Sequence, residues 1–346
     1  MSQTLKGVAI GAGYFSHFHF DAWNRIDSAE IVAVCDTNQE RAREVAKKYG
    51  IGECYSDFHE MLRQTKPDFV DVITRPQTHL SIVRQLCEYD VAIMCQKPLA
   101  PTFDEAVQLV TICRDNKRSL MVHENFRFQP WYRHIKGMLN EGAIGDRLHT
   151  LSFRNRAGDG WGDDAYLARQ PYFQTMERFL IFEAGIHTVD SFRYLAGDIE
   201  KVFCTTRKLN PVIAGEDTAI ALFQFSDGAV GMYDANRYNE STADNPRYTF
   251  GQLLIEGSAG SIRLYEDGRI SLQRLGMAEE FANYEPSTKG FAGDCVFDTQ
   301  QHFVDALLAG GEFETRGEDY LKSIAVQEAM YQSAQTGQWE SPQLPS

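Results

Sequence analysis

Short apolar runs alternate with amphipathic helical patterns through the first part of the chain. Strand-like runs lie at 7–10, 31–35, 69–73, 92–95 and 120–122. Helical patterns fill the gaps at 18–26, 39–49, 58–64, 79–88 and 102–116. In the last of these, Ala106, Leu109, Val110 and Cys113 fall on one helical face. Continuous apolar strands separated by helices predict a parallel sheet covered on both faces. Beyond residue 127 the pattern changes. A helix at 131–140 leads into Gly142-Ala-Ile-Gly145. Alternating runs follow at 147–156, 201–207, 218–225, 229–236, 252–256, 260–265 and 269–273. Ser226-Asp-Gly228 and Glu266-Asp-Gly268 read as hairpin turns between them. Helices at 299–309 and 320–334 close the chain. The expected fold is therefore α/β over 1–127, followed by an α+β domain over 128–346. The second domain carries a large, mostly antiparallel open sheet. A sheet with one face bare of helices implies a homo-oligomer, a dimer or a tetramer.

Composition narrows the partners. The 346 residues carry a formal charge of −14. So acidic a chain repels phosphate backbones and anionic membrane surfaces, which excludes nucleic acid and membrane as expected partners. Local positive potential at a helix N-terminus still admits a pyrophosphate. The opening Met1-Ser-Gln-Thr-Leu-Lys6 runs straight into Val8–Ile10, without the layout of a secretory leader. The seven cysteines are scattered and hold no C-x-x-C pair. They read as reduced thiols in a cytoplasmic protein rather than as disulfides or a zinc site.

The candidate chemistry begins after the first strand. Gly11-Ala-Gly13-Tyr-Phe-Ser16 follows that strand and opens the first helix. Gly11 permits a tight turn, and Gly13 lets a pyrophosphate approach the backbone. Ser16 takes the place of a third glycine, which predicts looser helix–strand packing. The second strand ends on Asp36, 23 residues beyond Gly13. A carboxylate there binds an adenosine ribose and repels a 2′-phosphate. This is the signature of a Rossmann domain, and it favours NAD over NADP.

Four further motifs stand at strand ends and in the second domain. They are Asp71-Val-Ile-Thr74-Arg75-Pro76-Gln-Thr-His79, Met94-Cys-Gln96-Lys97-Pro98, Val122-His-Glu124-Asn125-Phe-Arg127 and Glu183-Ala-Gly185-Ile-His187-Thr-Val-Asp190. Together they resemble the glucose–fructose oxidoreductase / inositol dehydrogenase / MocA family over nearly the whole chain. The resemblance implies an NAD-dependent oxidoreductase acting on CH–OH groups of an aldose or polyol. Lys97 matches the lysine of the family's E-K-P motif and His187 its histidine. Gln96 stands where the family usually has Glu, and Glu183 where it usually has Asp. Losing a carboxylate beside Lys97 favours the neutral amine. The implied cofactor contacts are Gly11, Gly13, Tyr14 and Phe15 at the turn, then Asp36. They continue through Thr74, Arg75, Pro76 and His79, through Gln96 and Lys97, and to Asn125. The implied catalytic residues are Lys97, His187 and Glu183, either Lys97 or His187 being the base.

The segment from Arg154 through Trp161, Tyr166 and Arg169 is rich in groups that stack on sugar rings or bind hydroxyls. With Lys97, Arg127, Glu183 and His187 these are the substrate candidates; Asn236, Arg237 and Tyr238 come second. Glu183 and His187 form an i, i+4 pair on one helical face. With Asp190 at i+7 they also have metal-ligand spacing, but hydride transfer to NAD needs no metal, and none is expected. Within the family, Gly11–Ser16 followed by Ala22-Trp-Asn-Arg25 is similar to the branch that oxidises the lactol of D-apiose to a lactone. Two other readings stay open: a redox-cycling glycosidase and a non-catalytic NAD/sugar sensor.

Overall fold

A computed structural model describes residues 4–344. Met1–Gln3 of the segment read for a leader lie outside the described residues. The chain divides into two compact units, Met1–Asn125 with Asp294–Leu321, and Phe126–Gly293 with Lys322–Ser346.

In the first unit the elements run β1 (Leu5–Ile10), α1 (Ser16–Trp23), β2 (Ala29–Cys35), α2 (Gln39–Tyr49), β3 (Glu53–Tyr55), α3 (Phe58–Thr65), β4 (Phe69–Val72), α4 (Pro76–Leu86), β5 (Ala92–Gln96), α5 (Phe103–Asp115) and β6 (Leu120–His123). The six strands pair in parallel in the order β3-β2-β1-β4-β5-β6. This is the doubly wound order, reversing direction between β1 and β4, where ligands of such sheets bind. Strand β3 is too short and too polar to be visible as an apolar run. Helix α2 matches its expected span because its ends are marked chemically. Asn38 caps it by accepting from the Glu40 and Arg41 amides, and Gly50 ends it in the left-handed region.

The single boundary expected at 127/128 misses a return of the chain. Helix α8 (Cys295–Ala309) belongs to the first unit, where Phe303 packs edge-on against Phe69 of β4. Beyond α8, Thr315 exchanges backbone bonds with the edge strand: the Val122 amide donates to the Thr315 carbonyl at 2.8 Å. The Thr315 hydroxyl donates to the Val122 carbonyl at 2.6 Å. An otherwise bare edge of β6 is thereby paired. A segment that closes a sheet edge gives no local pattern of its own, which is why the return is absent from the periodicity.

The second unit holds α6 (Pro130–Asn140), β7 (Leu148–Arg156), α7 (Ile186–Ala196), β8 (Ile199–Arg207), β9 (Thr218–Phe225), β10 (Val230–Asn236), β11 (Gln252–Gly257), β12 (Gly260–Leu264), β13 (Ile270–Arg274) and β14 (Glu280–Phe281). The strands form one sheet in the order β14-β13-β12-β11-β7-β10-β9-β8. All neighbours are antiparallel except β7 and β10. Alternation is clean: in β9, Ala219, Ala221, Phe223 and Phe225 are buried. Phe192 of α7 packs on that face against Phe223, in the space left by Gly231 of β10. The opposite face leaves Ile220, Val230 and Met232 exposed. Helix α9 (Gly317–Thr336) ends the helical part of the chain.

Candidate active site

The glycine-rich turn is built by steric need at one glycine and by open space at the other. Gly11 has φ +112°, and a Cβ there would sit 2.9 Å from the Ile73 carbonyl. Its amide donates to the Cys35 carbonyl, tying the turn to β2. At Gly13 a Cβ would meet nothing within 4 Å, so the backbone faces open space in front of α1. Ser16 does not loosen the packing as expected. It is fully buried, and its hydroxyl donates to the Gly13 carbonyl at 2.7 Å. Asp36 braces the same turn: one carboxylate oxygen accepts from the Ala12 amide and the other from the Asn38 amide, both at 2.8 Å. Tyr14 is exposed, and Phe15 is half-buried against Phe18. An open glycine cradle, a helix N-terminus and a carboxylate at the end of the second strand fit a dinucleotide.

The β4 and β5 ends carry the next group. Thr74 and Pro76 are half-buried and Arg75 is exposed. His79 is different from its expected role. It is fully buried, with its ring nitrogens 3.0 Å from the Leu99 and Thr74 carbonyls. It staples two strand-end loops together and has no surface to offer a cofactor. Burial holds its pKa below the ordinary imidazole value, against the pull of the Thr74 and Leu99 carbonyls. Gln96 is buried, and Lys97 is half-buried at the start of the following turn. Asn125 is buried at the end of β6, where its amide lies 3.1 Å from Cys295 Sγ.

In the second unit, Glu183 and His187 do not stand on one plain α-helical face. Ile181–Gly185 form a π turn that runs into α7. Such a turn re-aims side chains and is frequent at functional sites. The Gln327 side chain donates to the carbonyls of Ile181 and Phe182, holding the irregular turn. Glu216 accepts from the Phe179 and Ile181 amides at its entry. His187 is buried, its ring stacked on Phe126 with centroids 3.7 Å apart and planes 6° apart. Asp190 is fully buried and accepts two bonds from Arg127, at 2.6 and 2.7 Å, and a third from the Ser323 hydroxyl at 3.2 Å. Arg127 is thereby spent on a buried ion pair instead of facing a substrate. Asp190 is equally spent, and among the described residues no group of three His, Cys, Asp or Glu side chains is placed to hold a metal ion.

The candidate sugar segment is organised by a residue that the sequence ranked second. Arg237 is buried and its guanidinium lies over the rings of Tyr166, Phe179 and Phe173, at 4.8, 5.2 and 5.5 Å. It donates to Asp159 from Nε at 3.0 Å and from Nη2 at 2.5 Å, and to Glu183 at 3.5 Å. Arg169 adds a bond to Asp159 at 3.1 Å. Burial works against the Asp159 charge, but Arg237 and then Arg169 hold its carboxyl below the usual range. Tyr166 and Arg169 therefore anchor the loop: Tyr166 is a core residue packed with Phe173 and Phe179, and no open ring face remains for a sugar. Arg154 and Trp161 do stay exposed, Trp161 bonded to Glu240. Asp159 and Phe126 were missed in the sequence. Neither residue type has a local signature; each matters through a partner distant in the chain.

A doubly wound dinucleotide unit joined to an open-sheet unit defines a two-part oxidoreductase. Residues 5–124 match the model described as "Oxidoreductase family, NAD-binding Rossmann fold", and residues 132–263 match the "GFO/IDH/MocA C-terminal domain". The chain belongs to the GFO/IDH/MocA oxidoreductase family. It is 37% identical over 97% of its length, and 89% of the relative's, to a D-apiose dehydrogenase of Paraburkholderia graminis. It is 35% identical, over 96% of each chain, to a D-apiose dehydrogenase of Rhizobium rhizogenes. Among solved structures, it superimposes with a TM-score of 0.90 on an oxidoreductase from Agrobacterium radiobacter in complex with NAD+, L-tartaric acid and magnesium. That protein is 32% identical, and 98% of both chains is covered. The family read from the strand-end motifs is thus the family of the chain, and its Rossmann sheet and mostly antiparallel second sheet are both present.

Proposed function

We propose that this chain is an NAD-dependent sugar dehydrogenase that oxidises the lactol of D-apiose to the lactone. Full-length identity above one third to two D-apiose dehydrogenases carries the choice of sugar. Bound nicotinamide supplies the two-electron acceptor. Lys97 accepts the proton of the reacting hydroxyl. Glu183 binds a neighbouring hydroxyl, its carboxylate oriented by Arg237 at 3.5 Å. His187, its ring plane set by Phe126, binds a second hydroxyl. Trp161 and Arg154 offer an exposed ring and an exposed cation to the rest of the sugar.

Asp36 supports NAD over NADP. Its two oxygens already organise the glycine turn, and its charge opposes a 2′-phosphate. The exposed apolar row Ile220, Val230 and Met232 supports assembly into a dimer or tetramer through the bare sheet face. The scattered cysteines, six of the seven buried, support a reducing, cytoplasmic setting. Among the described residues, no helix is long and apolar enough to cross a membrane.

Initial rates with NAD on a panel of pentoses, hexoses and inositols test the reading. D-apiose is expected to give a kcat/KM about tenfold above any other sugar, with one NADH formed per sugar consumed. Turnover of another sugar but not of D-apiose overturns the substrate. Product release from a glycoside without net NADH overturns the dehydrogenase in favour of redox cycling.

A further inference from the structure

The hydrogen bonds behind Lys97 carry one more step, which rests on the reading of Lys97 as the proton acceptor. Gln96 is 6% exposed and its amide is held between two groups. The Lys97 backbone N–H lies 2.7 Å from Gln96 Oε1. A backbone N–H only donates, which makes this atom the acceptor and sends the amide nitrogen the other way. That nitrogen lies 2.9 Å from His19 Nε2. An amide NH2 also only donates, so His19 Nε2 carries a lone pair and the ring proton sits on Nδ1. Nδ1 lies 2.8 Å from Asp71 Oδ2, and Trp23 Nε1 donates to the same oxygen at 2.8 Å. His19 and Asp71 are fully buried. Phe15 packs edge-on to the His19 ring at 5.6 Å and His123 lies over it at 4.1 Å.

Every bond in this chain therefore runs one way: Lys97 N–H to Gln96, Gln96 to His19, His19 to Asp71. It starts at the backbone that carries Lys97. It ends on a carboxylate in the middle of the parallel sheet. It passes through His19 of α1, the helix that begins directly after the open face of Gly13. We propose that Gln96, His19 and Asp71 form a positioning relay that locks the Lys97 backbone to the cofactor-binding helix. An amide at position 96 and a neutral imidazole at position 19 are then a matched pair. A carboxylate at 96 offers only acceptors, so it demands a second ring proton and turns His19 into an imidazolium between two carboxylates. An apolar isostere at 96 breaks both bonds at once and frees the backbone behind Lys97.

Histidine 15N NMR of the intact enzyme tests the direction, with the His19 signals assigned through His19→Gln. The native enzyme is expected to show His19 protonated at Nδ1 and bare at Nε2, and Gln96→Glu to show both nitrogens protonated. In steady-state kinetics, Gln96→Met should lower kcat by on the order of tenfold to a hundredfold. Gln96→Glu should keep more of kcat than Gln96→Met, and the double variant Gln96→Glu/His19→Met should lose that advantage. A native His19 protonated at Nε2, or an unchanged kcat in Gln96→Met, overturns the relay. Turnover by Lys97→Ala instead overturns the reading of Lys97 on which the relay depends. The NMR result does not rely on activity, so the two failures are told apart.

Discussion

Replacing Arg237 by Met is the most exacting perturbation the second unit offers. The side chain is 9% exposed and answers two carboxylates, Asp159 and Glu183. Removing the cation strands Asp159 with Arg169 alone, at 3.1 Å. Breaking a buried ion pair from one side costs about 3–5 kcal/mol, because the remaining charge has lost its partner. Asp159 is 25% exposed and keeps one arginine, so the lower end applies, near 3 kcal/mol. The contacts over Tyr166, Phe173 and Phe179 are partly kept by the Met side chain. For a unit of this size the loss corresponds to a fall in Tm of about 6–12 °C. Adding Asp159→Asn removes the stranded charge, so the double variant should recover at least about 1 kcal/mol relative to Arg237→Met. Urea unfolding at pH 7 and again at acid pH measures both effects. Asp159 is held below its unfolded value, so its contribution is complete above about pH 4 and disappears as pH falls through the folded value. The penalty of Arg237→Met should therefore shrink in acid. A single variant within about 1 kcal/mol of the parent, or a double variant no better than the single, refutes the reasoning.

Four further outcomes follow from geometry already described. Gly11→Ala should lower stability by about 2 kcal/mol or more, since it forces φ +112° and a 2.9 Å contact on a side chain; Gly13→Ala should leave the Tm unchanged and weaken NAD binding, read by fluorescence titration. Asp36→Ala should raise the ratio of kcat/KM for NADP over NAD by on the order of tenfold, and an unchanged ratio would remove Asp36 from cofactor choice. His79 is held below its unfolded pKa, so its share of stability is intact above about pH 6.5 and declines as pH falls toward the folded value. A His79→Gln variant should show a urea midpoint that varies less with pH over that window.

Much of the fold was legible because its signals are local. Apolar runs bounded by capping residues gave the strands of the first sheet except β3, and alternation gave β7 to β13. Helix α7 was not read as an element, although Glu183 and His187 were placed on a helical face. Its residues are buried on nearly every side, from Ile186 to Leu195, so it has no polar stripe to supply a period. The π turn before it is invisible for a different reason. It is stabilised from outside, by Gln327 and Glu216, whose distance along the chain no local window covers.

The candidate site divides along the same physical line. Glycines and Asp36 were legible because backbone geometry and charge at a strand end have few alternative uses. Polar side chains were harder, because a buried fold consumes them. Arg127, Tyr166, Arg169 and His79 were all chosen for chemistry they can perform, and each is occupied by an internal partner. A carboxylate inside an apolar strand was the clue left unused. Asp71 interrupts Phe69–Val72, and burying a charge there demands donors from elsewhere in the chain. Those donors are His19 and Trp23, and following them outward leads through Gln96 to Lys97. Where a sequence places an ionisable residue against the local pattern, the group that compensates it is therefore the place to look for the residues that position a catalytic one.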